Sequence, residues 1–258
     1  MKAVILAGGL GSRISEETHL KPKPMVEIGG KPIIWHIMKI LSYYNIYEFI
    51  ICCGYKGYLL KEYFNNYFIH TSDVTFDFVK QKTQFHNNDK DPWKVTLVDT
   101  GEGSMTGGRL INVKSYLDDD KPFLFTYGDG VSDVNINSLI EFHKKNKKKV
   151  TLTAVNPPGR FGSLRFNKDN KTVKVFSEKT DGGNTWINGG FFIVERSIVD
   201  LINDYSVIWE TSILTKLAKN NDLAAYQHQG FWAPMDTIRD RNVLNRLWNE
   251  NKAPWKIW

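Results

Sequence analysis

Lys2-Ala3-Val4-Ile5-Leu6-Ala7-Gly8-Gly9-Leu10-Gly11-Ser12-Arg13 carries a continuous apolar run that stops on glycine. An unalternating run of this length is how a parallel strand covered on both faces reads, so Ala3–Ala7 is expected to be a buried strand. Working outward, Ile33, Ile34, Ile37, Ile40 and Leu41 fall on one stripe and predict a helix from about Pro32 to Tyr44. A second apolar run, Phe49 to Cys53, predicts the next strand, and a helix follows from about Lys56 to Asn66. Two strand–helix units in succession imply a parallel sheet with right-handed crossovers.

Farther along, Val74 to Val98 reads as extended and irregular, and a glycine-rich loop, Gly101 to Gly108, precedes a helix to about Leu117. Phe123 to Tyr127 is another buried strand and ends on Gly128-Asp129-Gly130. A helix is expected over Ile136 to Lys145. Strands are expected near Val150–Val155, Ser163–Phe166, Val173–Glu178 and Asn188–Val194, and helices near Val207–Lys219 and Thr237–Asn249. The fold class is therefore α/β: a Rossmann-like mixed, mainly parallel sheet flanked by helices. In open sheets of this kind ligands bind at the carboxyl ends of strands, where the chemistry should be sought.

At 258 residues the chain suits one large domain or two intimate lobes. With 41% hydrophobic and 24% charged residues it has ample core material, which excludes disorder and a coiled coil. The opening apolar run is too short for a signal segment or a membrane span, so a cytoplasmic protein without membrane insertion is expected. The only cysteines, Cys52 and Cys53, are adjacent, which disfavours a disulfide between them and fits buried strand positions in a reducing compartment. A net charge of +6 suits anionic partners. Its densest run, Lys144 to Lys149, reads as the solvated end of a helix, and no aromatic–basic signature points to nucleic acid.

The glycines after the first strand let backbone N–H groups approach a phosphate closely, and Arg13 adds a forked cation; Lys21-Pro22-Lys23-Pro24 and Gly29-Gly30-Lys31-Pro32 follow. The dinucleotide fingerprint fails because its third glycine would fall on Ile14, and no Gly-Lys-Ser or Gly-Lys-Thr forms a P-loop. A bare tight turn would explain the glycines but neither Arg13 nor the lysines behind it. Taken alone, Asp129 could be a turn residue and Asp236 the N-cap of the last helix. The six histidines lack zinc-site spacing, and no Gly-x-Ser-x-Gly elbow occurs.

The strand, the glycine-rich loop with Arg13 and the Pro-Lys-Pro segment with Lys23 resemble the sugar-phosphate nucleotidylyltransferases, and the likeness runs along the entire chain. The resemblance implies a single nucleotidyltransferase domain over residues 1–258, with a nucleotide-binding half of about 1–130 and a sugar-phosphate-binding half of about 131–258. It implies Arg13, Lys23 and Asp129 as catalytic residues, Arg13 polarising a triphosphate and Lys23 neutralising the reacting phosphates. It assigns nucleotide binding to Leu6, Ala7, Gly8, Gly9, Leu10, Gly11, Ser12, Arg13, Lys23, Ser104, Thr106, Gly107, Arg109, Gly128 and Asp129. Sugar-phosphate binding falls to Tyr127, Glu178, Lys179, Asn188 and Gly189, although Thr180 stands where many relatives have proline. Asp129 and Asp236 would hold Mg²⁺, a hard cation satisfied by one or two carboxylates plus substrate phosphates.

Within the family, Pro157-Pro-Gly-Arg-Phe-Gly162, Met105-Thr-Gly-Gly-Arg109, Phe231-Trp-Ala-Pro-Met-Asp236 and Ala253-Pro-Trp-Lys-Ile-Trp258 are similar to the branch that uses a cytosine nucleotide. That likeness implies CTP and α-D-glucose 1-phosphate as substrates, pyrophosphate as a product, and a homo-oligomer in which Trp255 to Trp258 could cover a subunit surface. Another nucleotide such as dTTP or UTP, another hexose phosphate, and a non-catalytic nucleotide-sugar-binding relative are the alternatives.

Overall fold

Strand β1, Lys2–Ala7, sends Ala3, Ile5 and Ala7 into one apolar layer and Val4 and Leu6 into the other. This two-sided burial, set by the period of two along a strand, explains why the run carries no polar alternation. The computed structural model describes residues 1–86, 91–156, 163–167, 172–177 and 186–258. Helix α1, Ile33–Tyr43, buries the predicted stripe of Ile33, Ile34, Ile37, Ile40 and Leu41 against the first layer. Its isoleucines each cost a few tenths of a kcal/mol in helix propensity, whereas full burial contributes roughly 1.5–3 kcal/mol apiece, so packing decides.

Strand β2, Glu48–Cys53, pairs in parallel with β1, and helix α2, Gly57–Asn65, follows with Leu60 in the same layer. The irregular stretch contains a hairpin, β3 Asp73–Asp77 with β4 Lys82–His86, and then β5, Lys94–Asp99, parallel to β2. The helix expected up to Leu117 is shorter: α3 covers Arg109–Val113 and a 3₁₀ turn, Lys114–Tyr116, completes it. Next come β6 Phe123–Tyr127, parallel to β1, the short β7 Gly130–Ser132, α4 Ile136–Asn146 and β8 Val150–Val155. Strands β9, Ser163–Phe166, and β10, Val173–Ser177, form a separate antiparallel pair.

The strand expected over Asn188–Val194 is interrupted. Its pieces, β11 Ile187–Asn188 and β12 Phe192–Val194, both pair with β8, Ala154 opposite Asn188 and Thr151 opposite Ile193. Strand β13, Leu223–His228, pairs in parallel with β8 along its whole length, so β11 and β12 must share the other edge. The sheet order is β13, β8, β11/β12, β6, β1, β2, β5, with only the interrupted strand antiparallel to its neighbours. At the interruption Gly190 and buried Phe191 both have positive φ, 76° and 45°. For phenylalanine that conformation is strained and persists because the surrounding packing holds it.

The first layer is covered by α1, α2, α4 and the last helix, α6 Ile238–Asn249, and the second by α3 and the 209–219 segment. The latter was expected to be one helix from Val207; its first six residues, Trp209–Leu214, form a π-helix that passes into α5, Thr215–Lys219. The aromatic tail belongs to the chain's own core. Trp255 is fully buried, stacks on Phe231 and Trp248 and donates to His36 Nδ1, while Trp258 meets Trp35 edge-on. Both cysteines are buried on β2, which raises their pKa, that of Cys53 to about 11, and suits inert core positions. Among the described residues no helix is long and apolar enough to cross a membrane.

Candidate functional site

The chain leaves β1 toward β2 and β5 on one side of the sheet and returns to β6 on the other, so the β1–β6 boundary is a topological switch point. Leu6 pairs with Tyr127 in register, and the glycine loop and Gly128-Asp129 therefore emerge side by side. Gly128 permits this: a Cβ there would lie 2.4 Å from the Leu6 carbonyl oxygen. Between the two loops opens a cleft of about 540 Å³, within the range of small-molecule sites.

The cleft is lined by Leu6, Ala7, Gly8, Gly9, Gly11, Ser12, Arg13, Lys23, Ser104, Thr106, Arg109, Tyr127, Gly128, Asp129, Asn188 and Asp236, all singled out in the sequence. Trp232 lines it too. Leu10, Gly107 and Gly189 do not line it. Leu10 points to solvent, Gly107 is pinned with its N–H on the Val207 carbonyl, and Gly189 packs against Val155 while its carbonyl accepts from Trp232 Nε1. Glu178 and Lys179, like Pro157 to Gly162, lie outside the described residues.

Lys23 is the centre of charge. Pro22 and Pro24 restrict the backbone around it, and the 3₁₀ turn Lys23–Met25 directs its side chain inward, 9% exposed. Its Nζ donates to Asp129 Oδ2 and Asp236 Oδ1, both at 2.6 Å. The other oxygen of Asp236 accepts from Arg13 Nη1, also at 2.6 Å. Two carboxylates from distant segments thus converge on one cationic point. Thr237, one residue after the aspartate, is the actual N-cap of α6 and forms a capping box with Asp240, which also accepts from the Asp236 N–H.

Among the described residues no group of three or more His, Cys, Asp or Glu could hold a metal ion. Asp129 and Asp236 nevertheless fit a hard divalent cation of the kind that takes one or two carboxylates and fills its remaining positions with substrate phosphate and water.

Arg109 lies beneath the cleft, 4% exposed, with its guanidinium donating to the carbonyls of Gly8, Cys53, Gly101 and Glu102 and to Thr100 Oγ1. One planar fork therefore ties the glycine loop to the Gly101–Gly103 turn. This explains the lack of a side chain at Gly8: a Cβ would lie 2.2 Å from Arg109 Nη1. Burial lowers the Arg109 pKa, an effect that the neighbouring Asp99 carboxylate opposes. Gly9, by contrast, has open space where a Cβ would stand, leaving its backbone accessible from the cleft.

On the opposite wall stands Glu210, which no motif marks in the sequence and whose surroundings read as ordinary helix. The first turn of the π-helix presents it to the cleft. Its Oε1 accepts from Tyr127 Oη at 2.5 Å and its Oε2 from Thr106 Oγ1 at 2.8 Å. Asn188 Nδ2 donates to Tyr127 Oη at 2.9 Å. Burial first, then the Glu210 charge and hydrogen bond, raise the Tyr127 pKa, so the phenol keeps its proton as donor.

The nucleotidyl transferase family profile matches residues 2–237. The chain is 58% identical over 258 residues to the glucose-1-phosphate cytidylyltransferase of Salmonella typhimurium, covering 100% of both chains. It is 41% identical, again over 100% of both, to a probable glucose-1-phosphate cytidylyltransferase of Bacillus subtilis. Among solved structures, HddC from Yersinia pseudotuberculosis superposes with a TM-score of 0.69 at 23% identity, covering 96% of this chain and 99% of that one. An apo-UDP-glucose pyrophosphorylase gives a TM-score of 0.68 at 17% identity, covering 97% and 98%. Both share the fold.

Proposed function

The chain belongs to the nucleotidyl transferase family and is an enzyme of that class, and on this premise we propose that it transfers the cytidylyl group of CTP to α-D-glucose 1-phosphate, giving CDP-glucose and pyrophosphate. The observation that carries the reading is the convergence of Arg13, Lys23, Asp129 and Asp236 beside the glycine loop, in a chain 58% identical to a named cytidylyltransferase along its entire length.

An oxygen of the sugar phosphate attacks the α-phosphorus of the nucleotide in line, and pyrophosphate leaves from the opposite side. The nucleophile is already ionised, so no general base is required, and no histidine lines the cleft among the described residues. Catalysis is then positioning plus neutralisation of charge. Arg13 and Lys23 exchange their carboxylate partners for phosphate oxygens, and the glycine loop offers backbone N–H groups to the triphosphate. The family uses a divalent metal; we take it to be Mg²⁺, held here by Asp129 and Asp236 and supplying charge neutralisation on the phosphates.

In this reading residues 1–258 are one catalytic domain. The nucleotide half, about 1–130, supplies the loops around Gly8 and Ser104, and the half from about 131 to 258 supplies Asn188 and, with Glu178 and Lys179, the sugar-phosphate contacts. The buried thiols suit a cytoplasmic setting. We further propose a homo-oligomer, which sedimentation of the purified protein tests.

Pyrophosphate release is the deciding measurement, across ATP, CTP, GTP, UTP and dTTP with glucose, galactose and mannose 1-phosphates, with and without Mg²⁺. CTP with glucose 1-phosphate should exceed every other pair by about 10²-fold in kcat/KM, because polar groups placed for one base are left unpaired by another. Faster turnover of another pair would reassign the substrate, and no release from any pair would overturn the reading.

A further inference from the structure

Glu210 takes part in neither the charge neutralisation nor the glycine loop, yet it faces the cleft with an unusual set of partners. Among the described residues both hydrogen bonds to its carboxylate come from neutral hydroxyls, Tyr127 Oη and Thr106 Oγ1, and no salt bridge to it is found. A carboxylate that accepts once on each oxygen retains lone pairs on both. The hydroxyl protons of Tyr127 and Thr106 are spent on Glu210, and Thr106 Oγ1 also accepts from the Trp209 N–H at 2.9 Å.

Asn188 completes the wall. Its Oδ1 accepts from the Gly190 N–H at 2.9 Å, and its amide nitrogen gives one hydrogen to Tyr127, the second having no partner among the described residues. The network therefore presents acceptor capacity at Glu210 beside one amide donor at Asn188. A group that both donates and accepts, namely an alcohol, complements that pair. A phosphate oxygen would be repelled by the carboxylate, so this wall is matched to the uncharged face of a substrate.

Two features of the backbone hold the pair in place. The π-helix Trp209–Leu214 replaces ordinary α-helical turns where Glu210 enters the cleft, a device found frequently at functional sites. Positive φ at Gly190 and Phe191 interrupts the strand directly after Asn188. Both irregularities fall on the segments that bring these two side chains together.

From this geometry we propose that Glu210 is a specificity-determining residue that, with Asn188, reads one hydroxyl of the sugar ring of the acceptor. The inference rests on the sugar-phosphate reading above and adds to it a residue and a chemical rule. Turnover requires the acceptor's hydroxyl, not merely its phosphate.

The test compares the native enzyme with Glu210→Gln and Glu210→Asp on the accepted hexose 1-phosphate and its 2-, 3-, 4- and 6-deoxy analogues, reading kcat/KM. In the native enzyme one analogue should fall by about tenfold or more below the parent, as expected when a buried polar group is left unpaired. In Glu210→Gln the parent should fall while that analogue's disadvantage shrinks to about threefold or less, since the partner lost on the substrate no longer has its mate. Glu210→Asp, which keeps the charge but withdraws it, should fall between the two.

A common loss across all substrates with an unchanged profile would show a merely structural role and overturn the proposal. So would a native enzyme indifferent to every deoxy substitution. A native enzyme inactive on all sugar phosphates would instead defeat the underlying reading, a different and recognisable result.

Discussion

Arg13 and Asp236 meet at 2.6 Å while 71% of the arginine side chain remains in water. An ion pair that exposed is worth about 0–1 kcal/mol, so Arg13 contributes little to the fold and is free to exchange partners when an anion arrives. Lys23 differs: at 9% exposure its ammonium depends on Asp129 and Asp236, because an unpaired buried charge is costly. The two cations should therefore separate under mutation. Arg13→Ala should lower kcat by roughly 10²-fold with Tm nearly unchanged, whereas Lys23→Ala should lower both, because it leaves two carboxylates facing each other. Asp129→Ala should abolish divalent-dependent turnover with the circular dichroism spectrum retained, since Asp129 is 31% exposed at the mouth of the cleft. Near-normal activity in that variant would remove Asp129 from the metal site. Arg13 and Lys23 were legible in the sequence because a cation at fixed distance behind a glycine loop is a local pattern. Glu210 was not, since its partners Thr106 and Tyr127 lie 104 and 83 positions away.

Elements followed the sequence wherever hydrophobic period alone sets them. Strands β1, β2 and β6 and helices α1, α2 and α6 were legible to within about two residues, because each buries a face whose spacing is written in the chain. The departures have a tertiary cause. The π turn at Trp209–Leu214 and the break between β11 and β12 depend on what packs against them, which no local periodicity records. At the start of α6 the capping function belongs to Thr237, which frees the preceding Asp236 for the cleft. Thr237→Ala should cost about 1 kcal/mol of stability, read as a lowered urea midpoint at unchanged m-value. Because Asp240 also accepts from the Asp236 N–H, the same variant should raise KM for the metal–nucleotide complex modestly. An unchanged midpoint would show that the box adds nothing to the packing of α6.

On the scale of the whole molecule, the C-terminal tail closes over His36. This imidazole is fully buried among Trp35, Trp248, Trp255 and Trp258, with Nε2 2.8 Å from the Ile28 carbonyl oxygen and Nδ1 accepting from Trp255 Nε1. Burial lowers its pKa from 6.5 to about 4, a change that backbone hydrogen bonds only partly oppose. Since the unfolded chain binds this proton more readily, His36 leaves stability intact above about pH 6.5 and removes about 3 kcal/mol as pH falls toward 4. Denaturation midpoints measured between pH 7 and 4 should fall less steeply in His36→Gln than in the native protein. Parallel curves would show that the histidine takes up no proton on unfolding.

The sequence by itself determined the α/β class, the buried parallel strands, the glycine loop and the cations behind it, because these depend on neighbours within a few positions. Tertiary structure alone decided which of those residues share a cleft. It set Asp129 and Asp236 on either side of Lys23, turned Arg109 under the loops as a clamp, folded the aromatic tail onto the core, and brought Glu210 against Tyr127. The reason is physical: a buried charge or hydroxyl must find its partner in space, and the partner that satisfies it can lie anywhere along the chain.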